Sequence, residues 1–125
     1  MKYLLDSNII IMTVMAMSDS LQARLAECDE GDVVTSAIAY GEVAFGAVRG
    51  KPPAFEQLQA FVEEVPVLSF DYKAAQAYAT LGFRRASYDR LIAAHALSHG
   101  LTVITDNEAD FADIAGLKVE NWACP

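Results

Sequence analysis

Tyr3-Leu4-Leu5-Asp6-Ser7-Asn8-Ile9-Ile10 is the stretch whose reading decides the fold. A short apolar run stops at three polar residues, and apolar residues then resume. We read Lys2 to Leu5 as a buried strand. Ser7 or Asn8 then caps a following helix, because their side-chain oxygens accept bonds from its free N–H groups. Leu101-Thr102-Val103-Ile104-Thr105-Asp106 shows the same switch near the other end of the chain. Continuous apolar runs mark strands buried on both faces, and such strands belong to parallel sheets covered by helices.

Working outward, apolar runs alternate with helical patterns along the whole chain. Ser20 to Cys28 reads as a helix, and Gly31 ends that region. Asp32 to Thr35 is the second strand. Ser36 to Val48 is a helix whose Gly41 and Gly46 lower its intrinsic propensity, so tertiary packing must hold it. Pro53 suits the first helical position of the segment that runs to Glu64. Val65 to Phe70 is a third strand, placed at a sheet edge because Pro66 lacks an N–H. A helix from Asp71 to about Leu81 follows. The next opens at Ser87 or Tyr88 and stops at Gly100. Leu101 to Thr105 and Leu117 to Glu120 are the last strands. The expected architecture is a three-layer α/β/α fold, with a mainly parallel sheet flanked by helices.

The chain has 125 residues, which fits one domain spanning 1–125 with a real core. Its 54% hydrophobic content and mean hydropathy of +0.23 exclude a disordered chain. Nine basic against 17 acidic residues give a net charge of −8, which excludes an indiscriminate polyanion binder. Cys28 and Cys124 have neither metal-ligand nor redox spacing, so reduced thiols in a cytoplasmic protein are the expectation. Ile9 to Met17 is too short to span a bilayer, so no membrane is expected.

Four acids sit where apolar segments stop: Asp6, Glu42, Asp89 and Asp106. Strand ends and helix starts meet at one edge of an α/β sheet, where ligands bind. Any one Asp there is explained by helix capping. Glu42, inside an apolar helix, is not, unless it faces water. Four carboxylates at one edge repel one another unless cations intervene, and oxygen-only ligation suits Mg²⁺ or Mn²⁺ rather than zinc. Ser7, Asn8 and Thr105 could orient the carboxylates, and Asp110 could be an outer ligand. Arg84, Arg85 and Arg90 flank Asp89 and could meet substrate phosphates, with Arg49 and Lys51 as weaker candidates. His95 and His99 have helical i, i+4 spacing but no third ligand, and Ser36 and Ser87 lack the surroundings of a nucleophile.

At these residues the chain resembles PIN-domain ribonucleases, specifically VapC-type toxins of toxin–antitoxin pairs. The resemblance rests on Tyr3 to Ile10, then Tyr40-Gly41-Glu42-Val43 with Phe45-Gly46. It continues through Asp89-Arg90-Leu91-Ile92-Ala93-Ala94-His95-Ala96-Leu97, Val103-Ile104-Thr105-Asp106-Asn107 with Asp110-Phe111, and Gly116 to Trp122. It implies Mg²⁺- or Mn²⁺-dependent cleavage of RNA. Asp6, Glu42 and Asp89 would be the core metal-binding acids and Asp106 the fourth. It also implies a homodimer silenced by a cognate antitoxin. Between Tyr78 and Asp89 the chain is shorter than such nucleases usually are, which bears on substrate contacts, the dimer surface or activity. Two alternatives stand beside this reading: a catalytically inactive relative that binds partners, and a receiver-like signalling domain.

Overall fold

The computed structural model describes residues 1–82 and 87–124. Its centre is a five-stranded, wholly parallel sheet: β1 (Tyr3–Leu5), β2 (Val33–Ser36), β3 (Val67–Leu68), β4 (Thr102–Ile104) and β5 (Val119–Glu120). The spatial order is β3-β2-β1-β4-β5, with Leu4 opposite both Val34 and Val103. Six α-helices flank it: α1 (Ser7–Val14), α2 (Asp19–Ala26), α3 (Ala37–Val48), α4 (Phe55–Glu64), α5 (Tyr72–Ala79) and α6 (Tyr88–His99). The three-layer α/β/α expectation holds.

The central strands are mostly apolar because both faces are covered. Leu4, Leu5, Val103 and Ile104 are fully buried, and Val34 nearly so. Ile9, Ile10, Ala39, Val43, Ile92, Ala93 and Ala96 bring the helices onto this layer. Strand order also removes one alternative. Receiver domains carry the order 2-1-3-4-5, whereas here β2 separates β1 from β3.

Several local expectations need correction. The cap of α1 is Asp6, whose Oδ1 accepts from the Ile9 N–H at 3.0 Å; Ser7 is already helical. The N-cap of α4 is Ala54, so Pro53 precedes the helix rather than opening it. The third strand is only two residues long, but it does lie at an edge; the Pro66 carbonyl accepts from the Thr35 N–H at 3.0 Å. Glu108–Phe111 forms a 3-10 turn that buries Phe111. Gly100 closes α6 in the left-handed conformation (φ 66°), as its position suggested.

Two interior contacts hold distant segments together. Trp122 is 2% exposed; it meets Tyr3 edge-on at 4.7 Å, carries the Arg24 guanidinium over its ring at 4.6 Å, and donates to Glu120 at 2.9 Å. His95, fully buried on α6, places Nδ1 2.7 Å from the Ser36 hydroxyl at the start of α3. Truncating Trp122 to Ala empties a large filled volume and unties the C-terminal segment from β1 and α2. We expect Trp122→Ala to lose about 3–5 kcal/mol in urea unfolding; a loss within experimental error would show that the tail contributes nothing to the core.

Candidate metal-binding nuclease site

The order β3-β2-β1-β4-β5 reverses direction between β1 and β4, and a parallel sheet opens a crevice at such a point. Asp6 follows β1 and Asp106 lies just beyond β4. The Asp6 N–H donates to the Ile104 carbonyl at 3.1 Å, which fixes the two strand ends side by side. Glu42, in the middle of α3, and Asp89, in the first turn of α6, lie beside them. Asp6 interacts electrostatically with both Asp89 and Asp106, and Glu42 with both Asp89 and Asp6. The structure thus brings all four expected acids to one edge.

The environment of Asp6, Glu42 and Asp89 disfavours charge. Burial pushes the Asp6 carboxyl up to about 6, against opposing bonds from the Thr105 hydroxyl and the Ile9 N–H; repulsion by Asp106 and Asp89 adds to the rise. Burial also raises Glu42, with Asp89 and then Asp6 repelling it, while the Ser7 hydroxyl offsets part of the effect. Asp89 is raised by burial and by Asp110. Glu42 Oε1 is buried with no hydrogen-bond partner among the described residues.

The neighbouring polar groups behave as orienting residues. Ser7 bonds Glu42 and Thr105 bonds Asp6. Asn8 Nδ2 donates to Asp106 Oδ2 at 2.9 Å. Asp110 is exposed and accepts from Asn107 Nδ2 at 3.0 Å, while the Asn107 N–H donates to Thr105 Oγ1 at 3.1 Å. Asn107 therefore links the Asp6 and Asp110 sides of the site, a role its place after Asp106 could have suggested.

The basic residues are placed differently from expectation. Arg90 is buried, paired with Asp113 at 3.2 Å, and donates to the Gly82 carbonyl at 2.7 Å, so it holds the approach to α6 rather than meeting phosphate. Arg49 folds back over the Phe45 ring at 3.5 Å. Arg84 and Arg85 lie outside the described residues. Two residues not singled out from sequence, Tyr78 and Tyr88, line a cleft of about 510 Å³ with Glu42 and Asp89; the signal for Tyr88 was its place immediately before Asp89.

By donor chemistry the set fits a hard divalent cation: carboxylate oxygens only, under mutual repulsion, with one buried oxygen left unpaired. Among the described residues, no three His, Cys, Asp or Glu side chains stand close enough to share one ion in their present rotamers. Loading therefore requires the carboxylates to draw inward.

The family model described as "PIN domain" matches residues 3–117. The chain belongs to the PIN-domain family. It is 31% identical to the tRNA(fMet)-specific endonuclease VapC of Shigella flexneri, covering 98% of this chain and 99% of that one. It is 26% identical to Ribonuclease VapC2 of Haemophilus influenzae, with 98% of each covered. Among solved structures, VapBC2 from Rickettsia felis bound to a promoter DNA fragment superposes with a TM-score of 0.87 at 26% identity, covering 98% and 99% of the two chains. DNA-bound VapBC from Salmonella typhimurium gives 0.78 at 33%, with 98% of each covered. The Shigella alignment runs over 132 residues, more than this chain contains, so that PIN protein carries residues absent here.

A carboxyl whose folded-state value is raised above its ordinary 3.8 stabilises the fold when protonated and loses that contribution as pH rises through about 6. Metal-free protein should therefore weaken relative to Asp6→Asn as pH climbs from about 4 to 8, by up to roughly 3 kcal/mol. Urea unfolding of both proteins across that range measures the difference, and a flat difference would place Asp6 in water.

Proposed function

We propose that this PIN-domain chain is the toxin of a VapBC-type pair, a Mg²⁺- or Mn²⁺-dependent endoribonuclease, acting in the cytoplasm as one domain and neutralised by a cognate antitoxin. The observation that carries this reading is the convergence of Asp6, Glu42, Asp89 and Asp106 at the sheet's switch point with Glu42 Oε1 buried and unpaired. An inactive relative that kept only a partner surface would have no use for that costly arrangement. Relatives named as ribonucleases over nearly the full chain support the same reading, and VapBC complexes among the structural neighbours support the antitoxin partner. No single helix is long and apolar enough to cross a membrane among the described residues. A homodimer is part of the proposal.

In this reading Asp6, Glu42, Asp89 and Asp106 hold the metal. When bound, the metal would lower the pKa of an attacking water and offset charge developing on the phosphate. The chain's own residues set the stage. Capping of α1 holds Asp6 Oδ1, and the Thr105 hydroxyl restrains its carboxylate. Asn8 aims Asp106, and Ser7 aims Glu42. The substrate is unpaired RNA, where bases can be splayed and reached; since relatives are named for tRNA(fMet), tRNA is the first substrate class to try.

Purified protein incubated with total bacterial RNA and Mg²⁺ or Mn²⁺ should yield discrete fragments, and Asp6→Asn should yield none while keeping its circular-dichroism spectrum. Equal cutting by that variant would remove Asp6 from the site. Asn8→Ala, which unties Asp106, should weaken divalent-ion affinity by about 10–100-fold in isothermal titration; unchanged affinity would make the Asn8 bond incidental.

A further inference from the structure

The carboxylate edge accounts for how a phosphodiester is handled but leaves the neighbouring bases without a seat. The cleft of about 510 Å³ beside it has Glu42 and Asp89 at one side, and Tyr78, Tyr88 and Leu91 supply its apolar surface. Tyr88 is 61% exposed although it opens α6 next to a half-buried acid. Among the described residues its ring meets no other aromatic ring and its hydroxyl makes no hydrogen bond. A second hollow, of about 450 Å³ and walled by Ile38, Gly41 and Phe45, again includes both Tyr88 and Glu42. One tyrosine thus borders two concavities that both reach a proposed metal-binding carboxylate.

The chemistry of this place selects its occupant. Two carboxylates in the wall repel a second phosphate, so the cleft suits a neutral group. Uncharged aromatic faces recognise flat heterocycles, and every nucleobase presents a π-face to stack. Stacking requires the base to be out of a helix, which restricts the site to single-stranded segments and loops. We propose that Tyr88, backed by Tyr78 and Leu91, is the stacking platform for an unpaired nucleobase flanking the phosphodiester held at the carboxylates. The platform rests on the ribonuclease reading for its position relative to the scissile bond. It is a binding and specificity element rather than a catalytic residue, and it acts on RNA affinity.

The test separates binding from cleavage. A short single-stranded RNA carrying 2-aminopurine is titrated with the Asp6→Asn protein, in which cutting is silenced. Stacking on Tyr88 quenches the fluorophore. Tyr88→Phe in that background should keep the quench, because the ring suffices. Tyr88→Ala should lose it and raise Kd by about tenfold. In the active protein Tyr88→Ala should raise KM for single-stranded RNA by a similar factor with a smaller change in kcat. Circular dichroism and light scattering of each variant report fold and oligomeric state. Unchanged Kd and KM in Tyr88→Ala overturn the platform, and a changed oligomeric state with unchanged RNA affinity assigns Tyr88 to a protein contact instead. Asp6-dependent cleavage that ignores Tyr88 leaves the ribonuclease reading standing without the platform. Tyr88-dependent quenching by a protein that cuts no RNA leaves the platform standing without the ribonuclease.

Discussion

Repulsion among carboxylates at the ends of β1 and β4 is the constraint around which the rest of the molecule is arranged. Asp6 cannot retreat, since its N–H is bonded to Ile104 and its Oδ1 to the first turn of α1. Its neighbours cannot retreat either, because Glu42 and Asp89 sit on helices packed into the core through Val43, Ile92 and Ala93. A cluster of this kind costs stability in the metal-free state, and the fold tolerates the cost because strands on both sides of Asp6 are buried without polar defects. Leu4, Leu5, Val103 and Ile104 supply that rigid floor. The same repulsion that weakens the bare protein would favour a divalent cation, so in the proposed reading stability and function draw on one interaction with opposite sign.

A buried hydrogen bond ties the N-cap of the helix carrying Glu42 to the helix carrying Asp89. Ser36 caps α3 by accepting from the Ile38 N–H at 3.0 Å, and the same hydroxyl lies 2.7 Å from His95 Nδ1 on α6. Burial, with His99 adding to it, lowers the His95 pKa and favours the neutral ring. A neutral ring whose Nδ1 accepts the Ser36 proton leaves the hydroxyl oxygen free for Ile38, while Nε2 is buried with no partner among the described residues. Protonation would make Nδ1 a donor and force Ser36 to accept twice. The i, i+4 pair His95 and His99 has its ring centroids 5.6 Å apart, and among the described residues no third His, Cys, Asp or Glu joins it.

Much of this was readable in the sequence because it follows from local rules. Apolar runs such as Leu101 to Thr105 admit no reading but a doubly covered strand, and Gly100 marks the end of α6 by its conformational freedom. The four acids were visible because each interrupts an apolar segment. The failures arise where a side chain had several eligible partners. Asp6, Ser7 and Asn8 are all good caps, and only the path of the chain gives the task to Asp6 while turning Ser7 to Glu42 and Asn8 to Asp106. Arg90 looked available for phosphate because sequence does not reveal that Asp113 and the Gly82 carbonyl converge on it. Tyr88 went unnoticed because an aromatic residue at a helix start reads as core until its exposure is known.

The charge balance shapes what kind of RNA contact this PIN protein can make. With a net charge of −8, the surface as a whole repels polyanions, and among the described residues Arg90 is paired with Asp113 while Arg49 lies over the Phe45 ring. In the proposed reading, cations held at the carboxylates would add phosphate attraction, which would couple substrate binding to metal loading. A base-stacking surface is the natural complement, since it adds affinity without requiring positive charge. The same acidic edge attracts cationic side chains. A partner that placed one among Asp6, Glu42, Asp89 and Asp106 would compete with the metal for the same oxygens, and so would oppose metal and RNA binding together.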